Sequence, residues 1–202
     1  MSTGLTYFVS FIAGYLSGSI MFAYIITKLI MGKDIRNLGN NNPGAANTFK
    51  QTGAVWGILT GALDASKSLI PILIAHYYFG VSSISLGFIG IGAIIGHGYP
   101  IYFGFRGGRA AATLMGIYLF FILYELTVAF VVAPLFVYTV VKTNKSYWIP
   151  FGIVSLSAIS SLFFNHPVEV KIIVIVAGFI GLFFNRNYLP FMVKSLLQKK
   201  EF

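Results

Sequence analysis

Residues 5–30 read LTYFVSFIAGYLSGSIMFAYIITKLI, an apolar run whose only charge is Lys28, near its end. A helix rises about 1.5 Å per residue, so roughly 20 apolar residues cross the ~30 Å hydrocarbon core of a bilayer. This stretch is long enough to do so. Six further apolar runs follow, at 54–79, 84–103, 111–124, 126–141, 149–164 and 170–184. The first two of these are full length, and the other four have only 14 to 16 residues. Lipid offers the backbone no hydrogen-bond partners, so only helices and closed barrels span it. The runs are continuous rather than alternating in polarity, which selects helices. The expected fold is all-α: a polytopic membrane bundle of about seven transmembrane helices, forming one domain over residues 1–202.

Composition agrees with that reading. The 202 residues are 57% hydrophobic and only 9% charged, against about 25% charged in a soluble domain. Mean hydropathy is +0.83. A soluble enzyme, a disordered chain and a nucleic-acid-binding module are thereby excluded, despite a net charge of +9. With no cysteine there is neither a disulfide framework nor a thiolate metal site. No Lys or Arg precedes Lys28, so the first run lacks the basic start of a cleavable signal peptide and is expected to be a retained helix.

Cations set the orientation, because they collect on the cytoplasmic side. With the N-terminus outside, Lys28, Lys33, Arg36, Lys50, Arg106, Arg109, Lys142, Lys145, Arg186, Lys194, Lys199 and Lys200 all fall inside, and only Lys171 falls outside. An even number of helices would scatter this charge. The C-terminus is therefore expected to be cytoplasmic, in a multi-pass protein of the plasma membrane. Short outer turns are expected around Tyr78–Ser83, Glu125 and Asn165–Glu169. Neither a fixed-period nor an inverted repeat is visible.

Four polar features interrupt the apolar pattern. The first is the loop Gly32–Lys50, rich in Asn and Gly, with Lys33, Arg36 and Lys50. Such a loop is either a solvated connector or a backbone nest for an anion, since Asn and Gly accept positive φ and expose N–H groups. The second is Phe105-Arg106-Gly107-Gly108-Arg109 at the start of the fourth run, with Thr113 a turn later. Cations and free N–H groups at a helix N-terminus suit phosphate, though two arginines at a membrane boundary also serve as anchors. The third is Asp64 and Lys67, three residues apart inside an apolar run. They share a helical face and are either a structural ion pair or part of a site. The fourth is His97, in Gly96-His97-Gly-Tyr-Pro100, a proton carrier, a phosphate donor or a structural hydrogen bonder. His76 and His166 lie elsewhere without a second histidine or a carboxylate at metal-ligand spacing, so no metal site is expected.

These stretches resemble the bacterial acyl-phosphate-dependent glycerol-3-phosphate acyltransferases. The resemblance begins at Gly18-Ser19-Ile20 and runs through Gly32-x-Asp34-Ile35-Arg36. The family's G-S-G-N-x-G-A-T-N-x-x-R stands here as Gly39-Asn-Asn-Asn42-Pro-Gly44-Ala45-Ala-Asn47-Thr-Phe-Lys50. Its L-D-x-x-K-G-x-x-P is Leu63-Asp64-Ala-Ser-Lys67-Ser68-Leu-Ile-Pro71. Its G-H-x-x-P and F-K-G-G-K-G-x-A-T are Gly96-His97-Gly-Tyr-Pro100 and Phe105-Arg106-Gly107-Gly108-Arg109-Ala110-Ala-Ala112-Thr113. About the first 115 residues are covered. The family serine is replaced by Asn40, its threonine by Ala46, its arginine by Lys50, and its two lysines by Arg106 and Arg109. Of the family's R-H-R-x-N-I block after the last helix, Arg186 survives.

The resemblance implies acyl transfer from acyl phosphate to the 1-hydroxyl of glycerol 3-phosphate, giving lysophosphatidic acid, without cofactor or nucleic acid, at a cytoplasmic site beside membrane lipid. It makes Asn40, Asn42, His97 and Arg109 the catalytic residues. Arg36, Asn47, Lys50, Asp64, Lys67, Arg106, Gly107, Gly108, Thr113 and Arg186 are expected to bind substrate. A transporter or binding protein for phosphorylated small molecules is the alternative, as is an altered family member with another acceptor.

Overall fold

The structure, a computed structural model, describes residues 2–197; Lys199 and Lys200 of the expected cytoplasmic tail lie outside the described residues. Every regular element among the described residues is helical. The order is α1 Thr3–Gly18, α2 Phe22–Met31, a 3-10 turn Ile35–Asn37, α3 Ala45–Thr52, α4 Ala54–Phe79 and α5 Ser83–Gly98. There follow α6 Ala111–Phe121, α7 Leu123–Phe136, α8 Lys145–Ser161, α9 Val168–Asn185 and α10 Leu189–Leu197.

Among the described residues, five helical stretches are long and apolar enough to cross a membrane: Thr3–Met31, Ala54–Phe79, Ser83–Phe103, Leu123–Val141 and Val168–Asn185. Their outward side chains, such as Phe8, Val55, Leu135 and Phe179, are exposed, as befits a multi-pass protein whose solvent is lipid. The other two apolar runs are helical but short, with 11 residues in α6 and 17 in α8. The boundary between the fourth and fifth runs also moves. Ile122 leaves the helical region (φ −142°, ψ 51°) and ends α6. Glu125, expected in a turn, therefore sits in the first turn of α7.

Breaks in the helices are used rather than hidden. The first span opens at Ser19–Met21, where the Ser19 hydroxyl donates back to Tyr15 O at 2.7 Å, a bond that bends helices. The freed Ile20 carbonyl accepts from Lys67 Nζ at 2.8 Å. Pro71 inside α4 has no N–H for the Lys67 carbonyl one turn earlier. Ser17 Oγ donates to that carbonyl instead, at 2.7 Å. Two breaks thus tie α1–α2 to α4 at Lys67.

Small residues bring backbones together, the usual device where lipid supplies no hydrophobic drive between helices. Gly14 and Gly18 of α1 face Gly92 and Gly96 of α5, and a methyl on any of the four would overlap a carbonyl of the other helix. Gly116 of α6 lies equally close to the Ala65 carbonyl of α4. Ser68 Oγ crosses the same seam to Thr113 O at 2.6 Å. The apolar core, including Leu86, Ile89, Leu114, Ile117 and Val174, fills the space between α5, α6 and α9. Its one buried phenol, Tyr118, donates to Val174 O at 3.0 Å.

Candidate functional site

A cavity of about 530 Å³ opens between α3, α4, α6, α8 and α9. Its polar lining includes Asn40, Asn42, Lys50, Asp64, His97 and Arg109. Its apolar lining includes Ile58, Met115, Leu119, Phe130, Phe151 and Val154. Met192 of α10, itself buried, closes over it.

The loop before α3 is held by its own side chains. The buried Asn47 amide donates to Leu38 O at 2.9 Å and to Ile35 O at 3.4 Å, and its carbonyl accepts from Asn40 N–H at 3.4 Å. Asn47 therefore shapes the loop, and it does not line the cavity. Gly39 (φ 56°) and Asn41 (φ 59°) take the left-handed turns. Asn40 Oδ1 accepts from Asn42 N–H at 3.2 Å, so both amides face the cavity in fixed register.

Arg36 and Asp34 form a forked pair at 2.8–3.0 Å, and Arg36 Nη1 donates to Phe103 O at 2.9 Å. The guanidinium also lies over Tyr24, 5.1 Å from its ring centre. Hydrogen bonds from Arg36 hold the Asp34 carboxyl below the usual carboxylate range, with partial burial opposing, and Asp34 in turn raises Arg36. Arg36 thus clasps the loop between α2 and α3 to the turn between α5 and α6. It does not reach the large cavity. With Asn37, Asn41, Arg106 and Gly107 it lines a separate open hollow of about 440 Å³. The two arginines flanking Gly107-Gly108 consequently face different spaces.

Beneath the loop, Asp64 Oδ1 and Lys67 Nζ pair at 3.1 Å with both side chains buried. Asp64 faces the cavity, while Lys67 points away to Ile20 O. His97 Nδ1 stands 3.7 Å from Asp64 Oδ1, beyond hydrogen-bond range, and has no hydrogen-bond partner among the described residues. Gly107 and Gly108 pack directly on His97. A methyl on Gly107 would overlap the His97 carbonyl, and one on Gly108 would overlap the His97 ring. The Gly108 N–H, expected to meet phosphate, donates instead to His97 O at 3.0 Å.

Arg109 projects into the cavity against two tyrosines. Its guanidinium carbon lies 3.7 Å from the Tyr188 ring centre and 4.7 Å from that of Tyr147. Its Nε and Nη2 are buried and have no hydrogen-bond partner among the described residues. Thr113 is fully buried and does not line the cavity, and its hydroxyl has no hydrogen-bond partner among the described residues. Arg186 is exposed and folds back on its own helix end, with Nη1 donating to Phe183 O at 2.9 Å. The structure does not bring it to the cavity. Asn185 beside it does line the cavity, with Nδ2 committed to Gly181 O at 2.8 Å and the amide carbonyl left over. Sequence reasoning missed Asn185, Tyr147, Tyr188 and Met192, because they lie in the last third of the chain, where no motif marks them. Among the described residues, no three His, Asp or Glu side chains gather as a metal site would require.

Known proteins match this chain along most of its length. The family model described as glycerol-3-phosphate acyltransferase matches residues 8–191. A glycerol-3-phosphate acyltransferase of Aquifex aeolicus is 45% identical over 106 residues, covering 52% of this chain and 55% of that protein. One from Coxiella burnetii is 43% identical over 117 residues, 57% of this chain and 59% of that protein. The chain thus spans little more than half the length of these curated relatives. Structural likeness extends further. The glycerol 3-phosphate form of PlsY, an integral membrane glycerol 3-phosphate acyltransferase, superposes with a TM-score of 0.80 at 30% identity, covering 94% of this chain and 93% of that one. The lysophosphatidic acid form of PlsY gives 0.78 at 28%, with the same coverage.

Proposed function

Because the chain belongs to the glycerol-3-phosphate acyltransferase family, we propose that it transfers an acyl group from acyl phosphate to the 1-hydroxyl of glycerol 3-phosphate. The observation that carries this reading is the mixed polar and apolar lining of the cavity. Arg109, Lys50, Asn40 and Asn42 are available there to a phosphate, and the apolar residues of the same cavity to an acyl chain. A hydrocarbon chain bound there contributes about 0.8 kcal/mol for each buried methylene. The relatives' names and the two PlsY forms support the same substrate and product classes.

The chemistry needs little covalent help. The 1-hydroxyl oxygen attacks the acyl carbonyl carbon, and the bond from that carbon to the phosphate oxygen breaks. Inorganic phosphate leaves, and the hydroxyl proton passes to it. The protein's task is alignment and charge stabilisation. Arg109 and Lys50 hold phosphate charge, Asn40 and Asn42 orient the polar groups, and His97 faces the leaving phosphate. Asp64, braced by Lys67, fixes the floor beneath them.

We place this site on the cytoplasmic face of the plasma membrane, with the N-terminus outside and seven crossings in all. The asymmetry of the cations supports that direction. The test is to incubate the purified protein with acyl phosphate and glycerol 3-phosphate. Equal amounts of lysophosphatidate and inorganic phosphate are expected. A folded preparation that releases neither overturns the reading.

A further inference from the structure

An arginine that must bind an anion needs to be oriented without being neutralised. A carboxylate partner orients a guanidinium but consumes its charge and its in-plane N–H groups. An aromatic face orients it from above and leaves the charge and the edge donors free. Arg109 is in the second situation. Among the described residues, the ion-paired carboxylates are Asp34 with Arg36, Asp64 with Lys67, and Glu125 with His166. Among the described residues, Arg109 has no carboxylate partner. Its guanidinium instead rests against Tyr188 and Tyr147, whose rings stack on each other with centres 5.4 Å apart and planes 29° apart. Nε and Nη2 carry the N–H groups left unpaired and buried at the cavity wall.

We propose that Tyr188 and Tyr147 are positioning residues that fix the Arg109 guanidinium for a phosphate group while leaving its donors unspent. The inference rests on the reading of Arg109 as a phosphate ligand. It also explains why arginine stands where the resembling family has lysine: a planar guanidinium lies flat on a ring and still presents an edge, whereas an ammonium is a point charge. The two tyrosines come from separate parts of the chain. Tyr147 lies in the first turn of α8, and Tyr188 lies between α9 and α10. The aromatic corner therefore also fastens α10, whose Met192 covers the cavity, to the phosphate end of the site.

The test is titration of the full-length purified protein with glycerol 3-phosphate by calorimetry, with steady-state kinetics alongside. Tyr188→Leu is expected to weaken binding and raise KM about tenfold, while kcat changes less than threefold. Tyr188→Phe keeps the ring and is expected to restore binding to within threefold of wild type. In Arg109→Ala, adding Tyr188→Leu is expected to weaken binding no further. Tyr147→Leu repeats the test should Tyr188→Leu fail to fold. Wild-type affinity in both leucine variants overturns the positioning role, as does a phenylalanine variant as weak as the leucine one. An additive loss in the double variant does the same. If Arg109→Ala itself binds like wild type, the phosphate-ligand reading fails as well, and the two failures are told apart by that variant.

Discussion

Gly108 donates its backbone N–H to the carbonyl of His97 at 3.0 Å, and the His97 ring occupies the place where a Gly108 side chain would stand. The Arg-Gly-Gly-Arg turn is thus moulded onto His97. Gly108→Ala must push the ring or lift the turn, and either movement displaces Arg109. Loss of transfer activity by at least tenfold is expected, with a lowered unfolding midpoint. Ala110, by contrast, already holds a left-handed φ of 59°, a strain of about 1 kcal/mol that glycine relieves. Ala110→Gly loses one buried methyl, worth about 0.8 kcal/mol, so its unfolding midpoint is expected to stay within a few degrees of wild type.

Arg109 and Arg186 separate two kinds of basic residue. Arg109→Ala removes the unpartnered cavity-facing guanidinium and is expected to lower kcat/KM by at least a hundredfold without unfolding the protein in detergent. Arg186→Ala removes an exposed side chain folded on Phe183 and is expected to change it less than threefold. Equal effects from the two substitutions would contradict the assignment.

The Asp64–Lys67 pair is buried on both sides. Removing one partner strands the other charge, at a cost of about 3–5 kcal/mol. Lys67→Met is therefore expected to lower stability more than the double variant Asp64→Asn/Lys67→Met, as read by thermal unfolding. Equal losses would mean the pair is not coupled.

The Asp34–Arg36 clasp has a definite pH dependence. The folded carboxyl is held below its ordinary range, so the stabilisation is complete above the unfolded value, near 4. It is lost as pH falls through the lower folded value. The stability difference between wild type and Asp34→Asn is expected to be about 0.5–1 kcal/mol at neutral pH and to vanish in strong acid. A difference that grows on acidification would reverse the sign.

Glu125, in the first turn of α7, is buried and pairs with His166 in the α8–α9 connection. His166→Ala leaves a buried carboxylate without its partner and is expected to cost about 2–4 kcal/mol. Adding Glu125→Gln is expected to recover much of that loss. Chemical denaturation of the three proteins decides it.

Some of the site was legible early because its residues are neighbours in sequence. Asp64 and Lys67 lie one helical turn apart, and pairing across that spacing follows from helix geometry alone. The loop bearing Asn40 and Asn42 declared itself by composition, although composition did not tell which asparagine would turn inward to staple the loop, as Asn47 does. Residues far apart in the chain were not legible in this way. Glu125 and His166, 41 residues apart, share no pattern, and neither do Arg109, Tyr147 and Tyr188.

Apolar run length and the distribution of cations by themselves determined that the chain is a multi-pass helical membrane protein, since lipid leaves the backbone no other way to satisfy its hydrogen bonds. The motif blocks determined the family. Only the tertiary structure decided which basic residues share a cavity. It turned Arg106 toward one hollow and Arg109 toward another, and it ended α6 at Phe121. It spent the Gly108 N–H on His97 and brought Tyr188 back across the bundle to meet Arg109. Those outcomes depend on where helices cross, and the crossings follow from glycines and unpaired carbonyls meeting partners dozens of residues away.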